Sequence, residues 1–142
     1  MTAVNRRVLI TGASGLIGGL VLRDLAEKYE FTALNRRPVA GIPCLQASID
    51  DRDAIAPAFE GIDTVLHLAA DIRNGSSWEV MLETNIKGTY NVFEVSRTNG
   101  VKRIVFASSG AATVGPQFHV SPIKGVAAGD YDSAPPVWDN LD

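Results

Sequence analysis

The chain reads as an α/β protein built on a doubly wound parallel sheet, on three grounds. Short β-branched and aliphatic runs alternate with stretches whose apolar residues recur at helical spacing. Most of those runs are apolar throughout, as strands covered on both faces must be. A glycine-rich turn, Thr11-Gly12-Ala13-Ser14-Gly15-Leu16-Ile17-Gly18, joins the first run to the first helical stretch.

Val8–Ile10 is a buried strand that Gly12 ends. From Leu16 the residues Leu16, Ile17, Leu20, Val21, Leu22 and Leu25 keep helical spacing as far as Lys28. Phe31–Leu34 is a second strand, closed by Asn35-Arg36-Arg37-Pro38, since proline has no N–H to give a ladder. A short third strand lies around Pro43–Ala47. Asp51 suits an N-cap for a helix through Phe59, and Gly61 suits its stop. Thr64–Leu68 is a fourth strand, apolar except for His67.

The longest helical pattern runs from Trp78 to Arg97. It puts Trp78, Met81, Leu82, Asn85, Ile86, Thr89, Val92, Phe93 and Ser96 on one face, with Trp78 as anchor. Asn99-Gly100 ends it, and Arg103–Ala107 is a fifth strand broken by Ser108-Ser109-Gly110. After Gly115 no period survives. The chain therefore divides into one domain over residues 1–115 and an irregular C-terminal tail over 116–142.

With 142 residues, 46% of them hydrophobic and 20% charged, the chain can bury a core and does not resemble a disordered one. A net charge of −3 offers no basic footprint for nucleic acid or for an anionic membrane. The single cysteine, Cys44, can form neither an internal disulfide nor a thiolate metal site. No second ligand is spaced to complete a metal site with His67, so no metal is expected. The apolar Val8-Leu9-Ile10 near the N-terminus is too short for a signal peptide or a membrane span; a soluble, cytoplasmic protein is expected.

The strand–turn–helix context gives the glycines their meaning. Gly12 permits a tight turn, Gly15 lets a pyrophosphate approach the backbone, and Gly18 lets the helix press on the sheet. The N–H groups at the start of that helix, with its dipole, suit phosphates.

TGASGLIG at this position resembles the extended short-chain dehydrogenase/reductase family, the NAD(P)-dependent sugar epimerases and dehydratases. His67-Leu68-Ala69-Ala70, Asn85-Ile86-Lys87-Gly88-Thr89 and Phe106-Ala107-Ser108-Ser109 look like three further motifs of that family, in its order, over residues 8–115. The resemblance implies a Rossmann fold with strand order 3-2-1-4-5. It also implies a cofactor site: Gly12, Ser14, Gly15, Leu16, Ile17 and Gly18 at the pyrophosphate, and Asn35, Arg36 and Arg37 at the adenosine ribose. Ser48 and Ile49 would lie near the adenine, with Leu68, Ala69, Ala70, Asn85, Ala107 and Ser108 completing it.

A carboxylate ending the second strand would accept bonds from both ribose hydroxyls and repel a 2′-phosphate. Asn35-Arg36-Arg37 offers no acid there, and guanidinium groups pair bidentately with phosphate, so NADP is expected, with NAD as the alternative. The arginines could equally be solvated surface residues. Ser48 stands where the family usually has Asp, and its hydroxyl would hold the adenine amino group more weakly.

The resemblance further implies a hydride-transfer site of Ser or Thr, Tyr and Lys with a supporting Asn. Ser109 matches the serine, with Ser108 as alternative, and Asn85 matches the asparagine, though it could equally be a satisfied core amide. A Tyr-x-x-x-Lys pair shares one helix face. None of the three tyrosines provides it, because Tyr29, Tyr90 and Tyr131 are followed at +4 by Ala33, Glu94 and Pro135. The expectation is the NAD(P)-binding portion of an oxidoreductase acting on a nucleotide sugar or similar polyol. That portion would stop short of the catalytic helix, be inactive alone, and engage a small-molecule substrate only in full-length form. A stand-alone NADP-sensing module is the alternative. A homodimer through the 78–97 helix is also implied, and His67 suits a hydrogen-bonded core or cofactor-edge role better than a catalytic one.

Overall fold

Five strands carry the fold in the computed structural model, which describes residues 6–109: β1 (Arg7–Thr11), β2 (Glu30–Asn35), β3 (Cys44–Gln46), β4 (Thr64–His67) and β5 (Arg103–Phe106). All pair in parallel, in the order β3-β2-β1-β4-β5, as the sequence led us to expect. The helices are α1 (Leu16–Leu25), α2 (Arg52–Ile55) with a 3₁₀ turn (Ala56–Phe59), α3 (Trp78–Met81) and α4 (Gly88–Thr98). A π-helical stretch, Leu82–Lys87, makes α3 and α4 one continuous rod.

Side chains of β1 alternate between two cores, one on each face of the sheet. Leu9 joins Leu34, Ile55, Phe59, Val65, Val92 and Val95 beneath α2 and α4. Val8 and Ile10 join Phe31 and Ala33 beneath Val21, Leu22 and Leu25 of α1. This double burial explains why β1 carries no polar residue between Arg7 and Thr11.

Local chemistry sets the element ends. Asp51 caps α2, its Oδ1 accepting from the Ala54 N–H at 3.0 Å, as expected. Pro57 then withholds the N–H an α-helix needs, so the segment to Phe59 tightens into a 3₁₀ turn. α1 stops at Leu25 and does not reach Lys28; the Lys28 N–H turns back to the Leu25 carbonyl. Leu68 and Ala107 fall just outside β4 and β5, yet their N–H groups still donate to the Thr11 and His67 carbonyls.

The helix faces differ from the periodicity reading in two places. On α1, Leu16, Ile17 and Leu20 are exposed, and Val21, Leu22 and Leu25 make the contact with the sheet. On the long rod the buried set is Gly88, Asn91, Val92, Val95 and Ser96, whereas Trp78, Leu82, Ile86 and Phe93 are exposed. Trp78, expected as an anchor, is 65% exposed and belongs to neither core. No residue of α3 or of the π stretch is buried; the rod meets the core only through α4, so the apolar stripe before Gly88 has no core to face. β5 is apolar in sequence, but as the last described strand of the sheet it leaves Val105 and Phe106 about half exposed. The 116–142 tail, with His119, Tyr131 and Trp138, lies outside the described residues, as do residues 110–115 of the expected domain.

Phe59 is completely buried where α2, α4 and the sheet meet. Phe59→Ala should lower unfolding free energy by about 3–5 kcal/mol, measured by urea denaturation, and a loss under 1 kcal/mol would contradict this packing.

Candidate functional site

Strand order reverses between β1 and β4. From β1 the chain moves through α1 to β2 and β3, then returns through α2 to β4 on the other flank. In open parallel sheets such a switch point leaves a crevice at the carboxyl ends of the strands, and ligands bind there.

The glycine turn lies at that crevice. Gly12 has φ +72°, and a Cβ on it would sit 2.8 Å from the Ala69 nitrogen, so both the backbone conformation and the approach of the β4 loop demand glycine. A Cβ on Gly18 would lie 2.6 Å from the Ala13 carbonyl oxygen; the helix thus closes on the turn as well as on the sheet. Gly15 precedes α1 in extended conformation, with its N–H on the Gly12 carbonyl at 3.0 Å. The N–H groups of the first helical turn, Leu16 to Gly18, have no acceptor within the helix.

The ends of β1 and β4 are joined by side chains. Thr11 Oγ1 is 2.6 Å from His67 Nδ1 and accepts from the Leu68 and Ala69 N–H groups, each at 3.2 Å. On its other side, His67 Nε2 is 3.2 Å from Thr89 Oγ1 on α4. The ring is buried and stacks on Phe106 at 5.4 Å between centroids. Burial pushes its pKa down to about 4, so the ring is neutral at pH 7. His67 is therefore a hydrogen-bonded core residue at the crevice edge.

At the end of β2, Asn35 is buried and already engaged. Its Nδ2 donates to the Arg37 carbonyl at 2.7 Å and to Ser14 Oγ at 3.2 Å, linking the glycine turn to the turn after β2. Arg36 and Arg37 are exposed beside it. After β3, Ser48 is exposed, while Ile49 is buried in the core against Gly88. The Asn91 amide, which sequence reading missed, donates to the Ile49 and Asp50 carbonyls at 3.0 Å each.

Asn85, in the π stretch, grips the loop after β4 at two points. Its Oδ1 accepts from the Asp71 N–H at 2.7 Å and its Nδ2 donates to the Asp71 carbonyl at 2.8 Å. The satisfied-amide alternative therefore describes its contacts. Asp71 organises that loop, accepting from the Arg73 side chain and backbone and from Ser76 Oγ. The Arg73 guanidinium holds the Asp71 carboxyl well below the usual carboxylate range. Leu68 and Ala69 are half-buried and Ala70 exposed on the same loop; Ala107, Ser108 and Ser109 follow β5 and are exposed. Among the described residues, no group of three or more His, Cys, Asp or Glu could hold a metal ion, and no helix is long and apolar enough to cross a membrane.

A doubly wound sheet with a glycine turn at its first β-to-α junction defines the Rossmann class of α/β proteins. Within that class, the chain belongs to the NAD dependent epimerase/dehydratase family, which it matches over residues 8–135. It is 38% identical over 103 residues to L-arabinose 1-dehydrogenase (NAD(P)(+)) of Haloferax volcanii, covering 72% of this chain and 41% of that protein. It is 33% identical over 109 residues to N-acetyl-alpha-D-glucosaminyl-diphospho-ditrans,octacis-undecaprenol 4-epimerase of Escherichia coli O157:H7, covering 75% of this chain and 33% of that protein. Uronate dehydrogenase from Agrobacterium tumefaciens, solved as a point mutant complexed with NAD, superposes with a TM-score of 0.67 at 35% identity, covering 75% of this chain and 42% of that one. The chain thus spans about two fifths of the length of the first curated relative and of this structure.

The buried histidine predicts acid sensitivity. Its folded pKa of about 4 lies below the ordinary 6.5, so stability is fully present above pH 6.5 and falls as pH drops toward 4, where the unfolded chain binds a proton the folded one refuses. Urea denaturation should show a loss approaching roughly 3 kcal/mol across that window. Unchanged stability between pH 6.5 and 4.5 would contradict it.

Proposed function

We propose that this chain is the dinucleotide-binding part of an epimerase/dehydratase-type oxidoreductase that acts on a nucleotide sugar or similar polyol. The observation that carries this reading is the Gly12 turn, held within Cβ-excluding distance of Ala69 at the switch point. A bound nicotinamide supplies hydride transfer; the chain's own residues bind and orient. The pyrophosphate is assigned to the backbone of Gly12, Ser14, Gly15, Leu16, Ile17 and Gly18. Ser48 and Ile49 are assigned to the adenine side, and Leu68, Ala69, Ala70, Asn85, Ala107 and Ser108 to the remainder of the cofactor. By the family resemblance, Ser109, with Ser108 as alternative, is assigned to hold the reacting oxygen, and Asn85 is assigned as the supporting asparagine.

The proposed cofactor is NADP, with NAD as the alternative. Asn35 brings no negative charge, and Arg36 and Arg37 are exposed beside it, with guanidinium groups suited to a 2′-phosphate. Calorimetry should find NADP bound more tightly than NAD. Arg36→Ala with Arg37→Ala should weaken NADP about tenfold or more and leave NAD within about threefold. Tighter binding of NAD by the unaltered chain would reverse the assignment.

A stand-alone NADP-sensing module, binding dinucleotide at the same glycine turn without turnover, is the second reading. On the first reading this chain alone is inactive, with a small-molecule substrate engaged only in a full-length form. Self-association through the 78–97 helix is also proposed, supported by exposure of Trp78 (65%), Ile86 (53%) and Phe93 (40%). Ile86→Lys should then shift sedimentation from dimer to monomer; a wild-type monomer at high micromolar concentration would overturn the proposal.

A further inference from the structure

The proton assignment of the Thr11–His67–Thr89 chain follows from counting donors and acceptors. A hydroxyl has one proton and two lone pairs. Thr11 Oγ1 already faces two N–H donors at 3.2 Å, that of Ala69 and that of Leu68, the latter shared with the Thr11 carbonyl at 3.1 Å, so its proton is left for the third partner, His67 Nδ1 at 2.6 Å. That nitrogen must therefore be an unprotonated acceptor. In a neutral ring the proton then resides on Nε2, which donates to Thr89 Oγ1 at 3.2 Å. The opposite tautomer would aim a third donor at Thr11 Oγ1 and leave a buried hydroxyl proton to find another acceptor.

We infer that His67, held as the Nε2–H tautomer, is a positioning residue that orients the Thr11 hydroxyl and so sets how the loop after β4 lies against Gly12. With its proton committed to the ring, Thr11 presents lone pairs to Leu68 and Ala69, and Ala69 is the residue on whose nitrogen a Gly12 side chain would collide. Thr89 Oγ1 lies on the far side of the ring, so α4 supplies the acceptor for the Nε2–H that Thr11 leaves on His67. The consequence for cofactor affinity rests on the dinucleotide reading proposed above; the tautomer and the loop geometry do not.

Long-range ¹H–¹⁵N spectra of the whole 142-residue chain at pH 7 test this directly. The His67 ring should show an unprotonated Nδ1 and a protonated Nε2, and a protonated Nδ1 or an even mixture would overturn the inference. His67→Asn can offer an oxygen close to where Nδ1 stood, whereas His67→Gln reaches toward Thr89. The Leu68 and Ala69 amide signals should therefore stay near their wild-type positions in the Asn variant and move in the Gln variant. Equal behaviour of the two variants overturns the positioning role. If neither folds, Thr89→Val decides: with Thr11 setting the tautomer the ring should keep its Nε2–H form, and a protonated Nδ1 there would overturn the inference. Dinucleotide Kd should rise about tenfold in His67→Gln and about threefold or less in His67→Asn. A wild-type chain that binds neither NAD nor NADP would refute the cofactor reading, and the ring spectrum would still decide this inference.

Discussion

The approach of two backbones at the carboxyl ends of β1 and β4 governs the rest of the molecule. Gly12 passes so near Ala69 that no side chain fits between them, and the Thr11 hydroxyl spans the same gap to two amides. Such proximity is stable only if neither strand can slide. The cores on both faces supply that restraint, with Leu9 and Val65 buried on one side and Val8 and Ile10 on the other. The double-sided hydrophobic pattern and the glycine turn are thus one requirement, since a strand free to shift by one residue would open the crevice.

The residues proposed for the cofactor divide by what their side chains already do. Asn35, Asn85 and Ile49 are occupied, the first two by backbone partners and the third by the core. Ser48, Arg36, Arg37 and Ala70 face solvent. Recognition at such an edge would rely on backbone N–H groups and on long cationic side chains, while the engaged amides hold the loops in place.

Much of the fold was legible because local chemistry specified it. The strands announced themselves as unbroken apolar runs, Asp51 as a cap, and Gly12 as a position no other residue could fill. Strand order was legible only through motif resemblance, since periodicity carries no information about neighbours. The buried face of the long rod was misjudged because periodicity marks a stripe and not how much of it meets a core: α3 and the π stretch, with Trp78 and Ile86, bury no residue, and only α4 does. Asn91 escaped notice because its partners, the Ile49 and Asp50 carbonyls, lie some forty residues earlier in the chain. Thr89 was placed on a helix face and in a family motif, but its contact with a ring on β4 was unreadable for the same reason. Polar contacts of that range become readable only once the sheet has brought the elements together.

The two asparagines of the rod give it a mechanical character. Asn85 grips the segment that leaves β4, and Asn91, six residues later, grips the segment that leaves β3. At about 100° per residue, six residues of a uniform α-helix set two positions about 120° apart around the axis, so the two amides face different segments. One stiff strut is thus tied to both rims, and displacing either rim must break bonds to the rod.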